Sequence, residues 1–525
     1  MIKVLDVTLR DGGCVNNFGF GQVYMERILH ALESARVDVI ELGYLDEKDG
    51  RLRDRTQFSS EQAIRQNFLT QKVPGRQYVA MVDFGKFDVR KLRPRQEGDI
   101  DGIRMAFHKK DWQEALSMGR VVLERGYHLY IQPMLTLRYS DMELLELIQA
   151  VNQQLPDAEG FYIVDSFGEM RSTDVTRLMQ IVDHNLKPEI TLGLHSHNNL
   201  QLSYANAMAL LAYPTKRNRI LDASVMGMGK GAGNLNTELL LEHMNLYHDG
   251  HYRIAPLLEL IDQVIRVIHQ EHYWGYAAEY YLSAVHHCSP SYASHFYNRH
   301  MLSMDQVAQL LESIPEEKKI SFDKEMAESL YLAYNRKRKL NDEAVLEKLR
   351  KAVSGRSVLL VAPGKSIARE KEKIHDMLFS PEVVSVGLNQ FVFDTDFVLT
   401  TRPEVYRQAL ERGCRVIAPS NVGSADDGAA VIDYEKWIVD GEKTQDSSGV
   451  MGLMLAKSLG ASQILLAGFD GFSGDVNENY WEASMRKPIS SEEAQERNAF
   501  YAQLIARISD AVPVRFLTKS RYQNL

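Results

Sequence analysis

The sequence predicts an α/β protein: a closed (β/α)8 TIM barrel, then a helical extension, then a C-terminal Rossmann-like α/β domain. Three observations predict it. Eight short β-branched runs alternate with amphipathic stretches up to residue 227, the spacing that parallel βαβ units require. The unusual polar clusters fall where those runs end, on what would be the catalytic face of a barrel. A second alternating set of apolar runs starts near Gly355.

The first four runs are IKVLDV (2–7), VDVIELG (37–43), QYVAMVDF (77–84) and DGIRMAF (101–107). The next four are YHLYIQPML (127–135), GFYIVDS (160–166), ITLGLHS (190–196) and RILDASVMG (219–227). A doubly wound open sheet is the competing arrangement for this pattern. After residue 236 the period becomes helical, as in LNTELLLEHMN and APLLELIDQVIRVIHQEHYW, and no convincing strand follows until about 350. SVLLVAPGKS, VVSVGL, FVLTT, RVIAPS and QILLAGFD then read as buried strands. The expected domains are a barrel over 1–250, a helical extension completing the active site over 251–353, and an α/β domain over 354–525.

Composition excludes several classes. A net charge of −9 with 25% charged residues leaves no electrostatic footprint for nucleic acid. The one basic run, Arg336 to Lys339, is followed by Asp342, Glu343 and Glu347 and reads as the solvated face of a helix. Three scattered cysteines, Cys14, Cys288 and Cys414, exclude a disulfide framework and fit a reducing compartment. No stretch approaches about 18 apolar residues, so a soluble cytoplasmic protein with no membrane partner is expected. A homodimer or higher homo-oligomer is the expected assembly.

The strand ends carry the chemistry. Arg10 and Asp11 follow the first run, Glu41 ends the second, Asp165 ends the sixth, His195 and His197 end the seventh, and GMGKGAGN follows the eighth. Residues two apart on a strand share a face, so the two imidazoles can converge on one ion. With Asp11 they make one carboxylate and two imidazoles, a set that leaves positions open and favours Mg, Mn, Fe or Zn over Cu. Arg10 is a fixed cation able to meet developing oxyanion charge, and the competing reading is a structural Arg10–Asp11 ion pair at the rim. Gly229 and Gly231 would let backbone approach a substrate or the metal. GMGKGA also fits the letters of a dinucleotide fingerprint, but it follows the eighth strand of a pattern, not the first of a βαβ unit. APGKS (362–366) resembles the end of a P-loop, yet Leu359 stands where its first glycine belongs.

DVTLRDGG (6–13), GLHSHNNLQLSYANA (193–207) and GMGKGAGNLNTE (227–238) together resemble the signature motifs of the DRE-TIM metallolyases. That superfamily includes 4-hydroxy-2-oxovalerate aldolase, hydroxymethylglutaryl-CoA lyase, and the isopropylmalate and homocitrate synthases. The resemblance covers roughly residues 1–300, and YIVDSFGEM (162–170) and GYAAEYY (275–281) resemble the aldolase branch. It implies a divalent metal, Mn2+ or Mg2+ with Zn2+ or Co2+ as alternatives, held by Asp11, His195 and His197, with Asn234 close to its shell. It further implies that Arg10 stabilises the enolate of pyruvate or of an acyl-CoA, and Glu41 is a further candidate catalytic residue. The aldolases carry a histidine shortly after the Arg-Asp pair, and here that position is Cys14, a poor base at pH 7. Tyr276 and Tyr280 fall where the aldolases place a catalytic tyrosine, with helix packing as the competing reading, and His286 and His287 are further candidates for the proton transfer. Asp165 is expected at the substrate, and Arg171 stands where a carboxylate-binding serine would, able to bind a carboxylate or to cap a helix.

SSGVMGLMLAKSLGASQILLAGFDGFSG (447–474), with VAPGKSI and VVSVGLNQF, more loosely resembles the sialyltransferase-like nucleotide-binding domains and their DUF115 relatives. This implies a nucleotide or nucleotide-sugar site using Gly364, Ser366, Asn389, Ser448, Gly449 and Asp470, with a purely structural domain as the competing reading. The expected activity is a pyruvate-type aldolase acting on a small 2-oxo acid and an aldehyde, the latter on a sugar or nucleotide sugar if the C-terminal site is real. The alternatives are an acetyl-CoA-dependent Claisen-type synthase on the same barrel, and a glycosyltransferase-like protein with a vestigial barrel.

Overall fold

The computed structural model describes residues 1–47, 54–298, 302–336, 340–439, 446–482, 485 and 489–524. Positions 337–339 of the basic run lie outside the described residues. The chain divides into two compact units: Met1–Ala293 with Lys319–Ser321, and Ser294–Lys318 with Phe322–Leu525.

In the first unit, strands β1 (Ile2–Asp6), β2 (Val39–Leu45), β3 (Gln57–Phe58), β4 (Gln77–Asp83) and β5 (Gly102–Phe107) are followed by β6 (His128–Pro133), β7 (Gly160–Asp165), β8 (Thr191–Ser196) and β9 (Arg219–Ala223). Their order is β1-β9-β8-β7-β6-β5-β4-β2-β3, and β1 also pairs in parallel with β2, Leu5 facing Val39. That last pairing closes eight strands into the expected barrel, with the two-residue β3 hanging on the end of β2. The competing open sheet is thereby excluded. Helices cover the outside because their apolar stripes bury against the strands: Leu144, Leu147, Ile148 and Val151 of the helix Asp141–Gln154 all face inward. Ser140 and Glu143 start that helix with a reciprocal capping box.

The barrel interior is layered. Leu5, Val7, Val39, Val79, Tyr130, Tyr162, Val164 and Ile220 form its apolar cluster. The two-residue period then sends Glu41, two beyond Val39, and Asp222, two beyond Ile220, into the same interior nearer the C-terminal mouth. Gly193 makes room for this packing, since a Cβ there would approach the Tyr162 ring to 2.5 Å.

Between β9 and the next strand the regular elements among the described residues are helices, as the sequence pattern predicts. Helices from Ala255 to Val285 belong to the first unit, whereas Met304–Glu312, Lys324–Asn335 and Glu343–Val353 belong to the second. The second unit is built on β10 (Ser357–Val361), β11 (Val383–Leu388), β12 (Phe397–Leu399), β13 (Val416–Pro419), β14 (Ala430–Ile432), β15 (Gln463–Ala467) and β16 (Val514–Phe516). All pair in parallel in the order β14-β13-β12-β11-β10-β15-β16. The order reverses at β10 and β15, where a doubly wound sheet opens a crevice beyond its strand ends. The sequence pattern missed β14 and β16, three-residue edge strands too short to show a period. Among the described residues no helix is long and apolar enough to cross a membrane.

Candidate metal centre

The chain leaving β1 curls at once over the barrel mouth. The N–H groups of Arg10, Asp11 and Gly12 all point at the Val7 carbonyl, at 3.1, 2.8 and 3.3 Å. This turn carries the Asp11 carboxylate to the end of β8, where His195 is in the strand and His197 is one residue beyond it. One ligand atom from each of Asp11, His195 and His197 lies within 4.8 Å of the others, and all three residues are buried. His197 Nε2 is 3.8 Å from Asp11 Oδ2, and the two imidazole planes stand at 88° to each other.

Their hydrogen bonds fix which nitrogen is offered. His195 Nδ1 is 2.9 Å from Asp222 Oδ2 and His197 Nδ1 is 3.2 Å from the Lys230 carbonyl. Both partners accept only, so each Nδ1 carries the hydrogen and each Nε2 presents a lone pair. Burial pushes His197 down to about 4 despite the Asp11 carboxylate beside it, keeping it neutral at pH 7. Burial also opposes ionisation of Asp11, but His197, Arg10, His195 and the Asn234 amide outweigh it and hold the carboxyl well below the usual range. Asn234 Nδ2 donates to Asp11 Oδ2 at 2.7 Å, while its Oδ1 is buried with no partner. A carboxylate, two imidazole nitrogens and an orphaned amide oxygen suit a divalent cation with open positions.

Arg10 is held from two sides. Its Nη1 donates to Asp11 Oδ1 at 2.8 Å and its Nε to Glu41 Oε2 at 2.7 Å. Burial opposes the Arg10 charge, but Glu41 and Asp11 offset that and keep the guanidinium protonated. Glu41 Oε2 also accepts from Arg104 Nη1 at 2.8 Å, and Arg104 Nη2 donates to Asp222 Oδ2. Asp11, Arg10, Glu41, Arg104, Asp222 and His195 therefore form one buried chain of alternating acidic and basic side chains that runs from one metal ligand to another. Glycine at 229 closes the loop over it, since a Cβ there would lie 2.6 Å from Asp11 Oδ2 and 2.3 Å from Asn234 Nδ2.

The structure thus brings Arg10, Asp11, Glu41, His195, His197, Asn234 and Gly229 into one cluster. Gly231, at φ +68°, packs instead against Asn199, whose Oδ1 a Cβ would meet at 2.8 Å. The Asp165 carboxylate accepts the N–H groups of Glu169 (2.9 Å) and Met170 (3.2 Å) and so shapes the loop after β7, and burial pushes it up to about 7. Arg171 is exposed at the N-cap of helix Ser172–Asn185, its N–H donating to Asp174 Oδ2 at 2.9 Å. Tyr276 is 55% exposed, and Tyr280 is half-buried in helix Ala278–Val285. Cys14 is reachable by solvent but walled by protein, and that confinement and the Asp11 carboxylate push its thiol up to about 12. Arg104 and Asp222 escaped the sequence reading. The available signal was a charged residue flanked by apolar side chains within a strand, Arg104 in GIRMAF and Asp222 in RILDA.

In the second unit a cavity of about 1140 Å3, open mouth included, lies at the ends of β10, β11 and β15. Gly364, Asn389, Ser448, Gly449 and Asp470 line it together, and Ser366 stands just behind, its N–H donating to Asp470 Oδ2 at 2.7 Å. Asn389 Nδ2 donates to Ser448 Oγ at 3.0 Å, and Arg402 and Arg497 add positive charge to the wall.

A carboxylate and a His-x-His pair around an open position, at the C-terminal mouth of a (β/α)8 barrel, define a candidate divalent-metal centre. Residues 106–263 match the HMGL-like family model. The chain is 29% identical over 290 residues to 4-hydroxy-2-oxovalerate aldolase 3 of Cupriavidus necator, covering 53% of this chain and 83% of that protein. It is 29% identical over 243 residues to 4-hydroxy-2-oxovalerate aldolase 2 of Burkholderia lata, covering 46% and 68%. Among solved structures it resembles hydroxymethylglutaryl-CoA lyase of Pseudomonas aeruginosa, with a TM-score of 0.41, 17% identity, and 51% and 92% of the two chains covered.

Proposed function

We propose that the barrel unit is a divalent-metal-dependent aldolase that joins or cleaves the carbon–carbon bond between the enolate of pyruvate, or a related 2-oxo acid, and an aldehyde. The observation that carries this reading is the convergence of Asp11, His195 and His197 within 4.8 Å, with Arg10 bonded to Asp11. The aldolase names of the relatives support it. A bound Mn2+ or Mg2+, or Zn2+ or Co2+ in their place, would supply Lewis-acid polarisation of the 2-oxo carbonyl. The chain supplies the rest. Asp11, both Nε2 lone pairs and the orphaned Asn234 oxygen would hold the ion. Arg10, its fork fixed by Asp11 and Glu41, presents a permanent cation to oxygen charge as it develops. The Cys14 thiol stays protonated at neutral pH and offers no base.

Proton NMR tests this without knowledge of the aldehyde. Protein with Mg2+ in deuterated buffer should wash the methyl protons out of pyruvate, and Asp11→Ala should stop it. No exchange with any of the four metals would refute the reading. Release of free CoA from acetyl-CoA plus a 2-oxo acid, without pyruvate exchange, would replace it by a Claisen-type synthase.

A second site is supported by the cavity of the C-terminal unit. It lies where the order of the parallel strands reverses, the usual ligand crevice of such sheets. Ser447 caps the helix Ser448–Ser458, whose first N–H groups favour an anion, and Arg402 and Arg497 share the same wall. We read it as a nucleotide or nucleotide-sugar site, which would present a sugar-linked aldehyde or hydroxy-oxo acid as the partner of the barrel chemistry. Nucleotide-sugar binding without any pyruvate exchange would instead favour a glycosyltransferase-like protein with a vestigial barrel.

A further inference from the structure

One histidine at the barrel mouth is aimed by a buried carboxylate and takes no part in the metal centre. Glu169 lies on the loop leaving β7, its side chain 2% exposed. Its Oε2 receives His287 Nδ1 at 2.6 Å and Arg138 Nη2 at 3.0 Å. The same Arg138 nitrogen donates to the His287 carbonyl at 3.0 Å, so both the ring and the backbone of His287 are fixed. Since the carboxylate takes the Nδ1 hydrogen, Nε2 is the free basic nitrogen, on a side chain that is 54% exposed. His287 also holds φ at +60°, a left-handed conformation that a residue with a Cβ rarely adopts unless its surroundings enforce it.

The loop that carries Glu169 adjoins the segment that carries His197. The Glu169 N–H donates to Asp165 Oδ1, and Asp165 ends β7, the strand next to the one carrying His195. The loop is flush against the segment after β8: a Cβ at Gly168 would lie 2.6 Å from the Asn199 nitrogen and 3.0 Å from the His197 carbonyl carbon. A solvent-facing imidazole oriented by a buried carboxylate is the arrangement of a general base held in one tautomer.

We propose that Glu169 and His287 form the proton-transfer dyad of the barrel site, acting on the hydroxyl of the aldol; the proposal rests on the aldolase reading above. In cleavage the hydroxyl O–H bond breaks, its proton goes to His287 Nε2, and the oxygen lone pair forms the aldehyde carbonyl. The bond between C3 and C4 breaks, leaving its electron pair on the pyruvate fragment as the enolate. The enolate carbon then takes a proton from water, and the imidazolium returns its own to solvent. Condensation is the reverse. Glu169, which does not touch substrate, is a positioning residue.

The test compares two reactions of the metal-loaded full-length protein: pyruvate methyl exchange, which needs no hydroxyl base, and condensation of pyruvate with a panel of short aldehydes. His287→Ala should lower kcat for condensation by about 100-fold with KM within about threefold and exchange retained, and added imidazole should restore part of the rate. Glu169→Gln, which keeps an acceptor for Nδ1 but not its charge, should lose about 10-fold. Condensation by His287→Ala at the wild-type rate overturns the proposal alone. So does joint loss of condensation, exchange and Mn2+ affinity in that variant, which would mark the pair as an anchor for the helical extension. Wild-type exchange with no condensation across the panel overturns it as well. A wild-type protein that does not exchange pyruvate protons removes the aldolase reading and this proposal together.

Discussion

Asp222 Oδ2 accepts from two directions at once, from His195 Nδ1 at 2.9 Å and from Arg104 Nη2, so a metal ligand is oriented by an ion pair buried inside the barrel. Asp222→Asn keeps the size of the side chain but removes the charge that fixes the His195 tautomer. Partners of this kind are worth about 10- to 100-fold in metal affinity. Titration of the variant with Mn2+ should show a loss in that range. An affinity equal to wild type would mean that His195 needs no such orientation.

Arg10→Lys separates charge from geometry. A lysine keeps the cation, but its single ammonium cannot reproduce the planar fork that spans Asp11 Oδ1 and Glu41 Oε2. Pyruvate exchange should fall by about 100-fold or more, the scale of losing one preorganised oxyanion donor, while Mn2+ affinity changes only a few-fold. Equal rates for the two proteins would show that a point charge suffices.

Arg104 is the residue on which the interior network depends for stability. It is completely buried and pairs with both Glu41 and Asp222, so Arg104→Met leaves Asp222 without a cationic partner and Glu41 with Arg10 alone. Breaking a buried pair on one side costs about 3–5 kcal/mol. Chemical denaturation of the variant should register a loss of that order, and a loss under about 1 kcal/mol would contradict the pairing.

These residues also mark the boundary of what the sequence discloses. Asp11, His195, His197 and Gly229 were legible because each sits within a short motif at a strand end, where the barrel pattern already places chemistry. Arg104 pairs with residues 63 and 118 positions away, and Glu169 with His287 118 positions away. No local period encodes such a pairing, and only the closing of the barrel creates it. Asp165 stood at the right place for a substrate ligand, yet backbone N–H groups of its own loop take up its carboxylate. The C-terminal strands were read wherever at least one apolar run outlasted a turn, which β14 and β16 do not manage.

Asp6 makes the barrel pH-sensitive. Burial pushes its carboxyl up to about 6, against the hydrogen bonds from Thr237 and Thr8 that favour its charge. An unfolded aspartate titrates near 3.9, so the folded state holds a proton that the unfolded state has lost. The sign follows: this contribution to stability is complete below about 3.9 and is lost as pH rises through about 6, a change of about 3 kcal/mol. Asp6→Asn cannot titrate. Denaturation between pH 4 and 7 should therefore show a shallower decline for the variant, and parallel curves would refute the assignment.

The cavity of the C-terminal unit can be tested by charge and by shape. Arg497 is fixed from behind by Glu493, at 3.1 Å from Nε and 2.6 Å from Nη2, and lies 5.4 Å from the centre of the Phe472 ring. If the cavity takes a nucleotide sugar, Arg402→Ala and Arg497→Ala should each weaken binding by about 10- to 100-fold, the range of a charge-assisted hydrogen bond. Gly449→Ala changes no charge, but its Cβ would come 2.7 Å from the Tyr501 hydroxyl at the head of the helix Ser448–Ser458. That collision should weaken binding while leaving Mn2+ affinity in the barrel untouched. Calorimetry of the full chain with CMP, UDP and GDP sugars reads all three variants against wild type. Silence of the wild type across the set would leave the cavity without its proposed ligand.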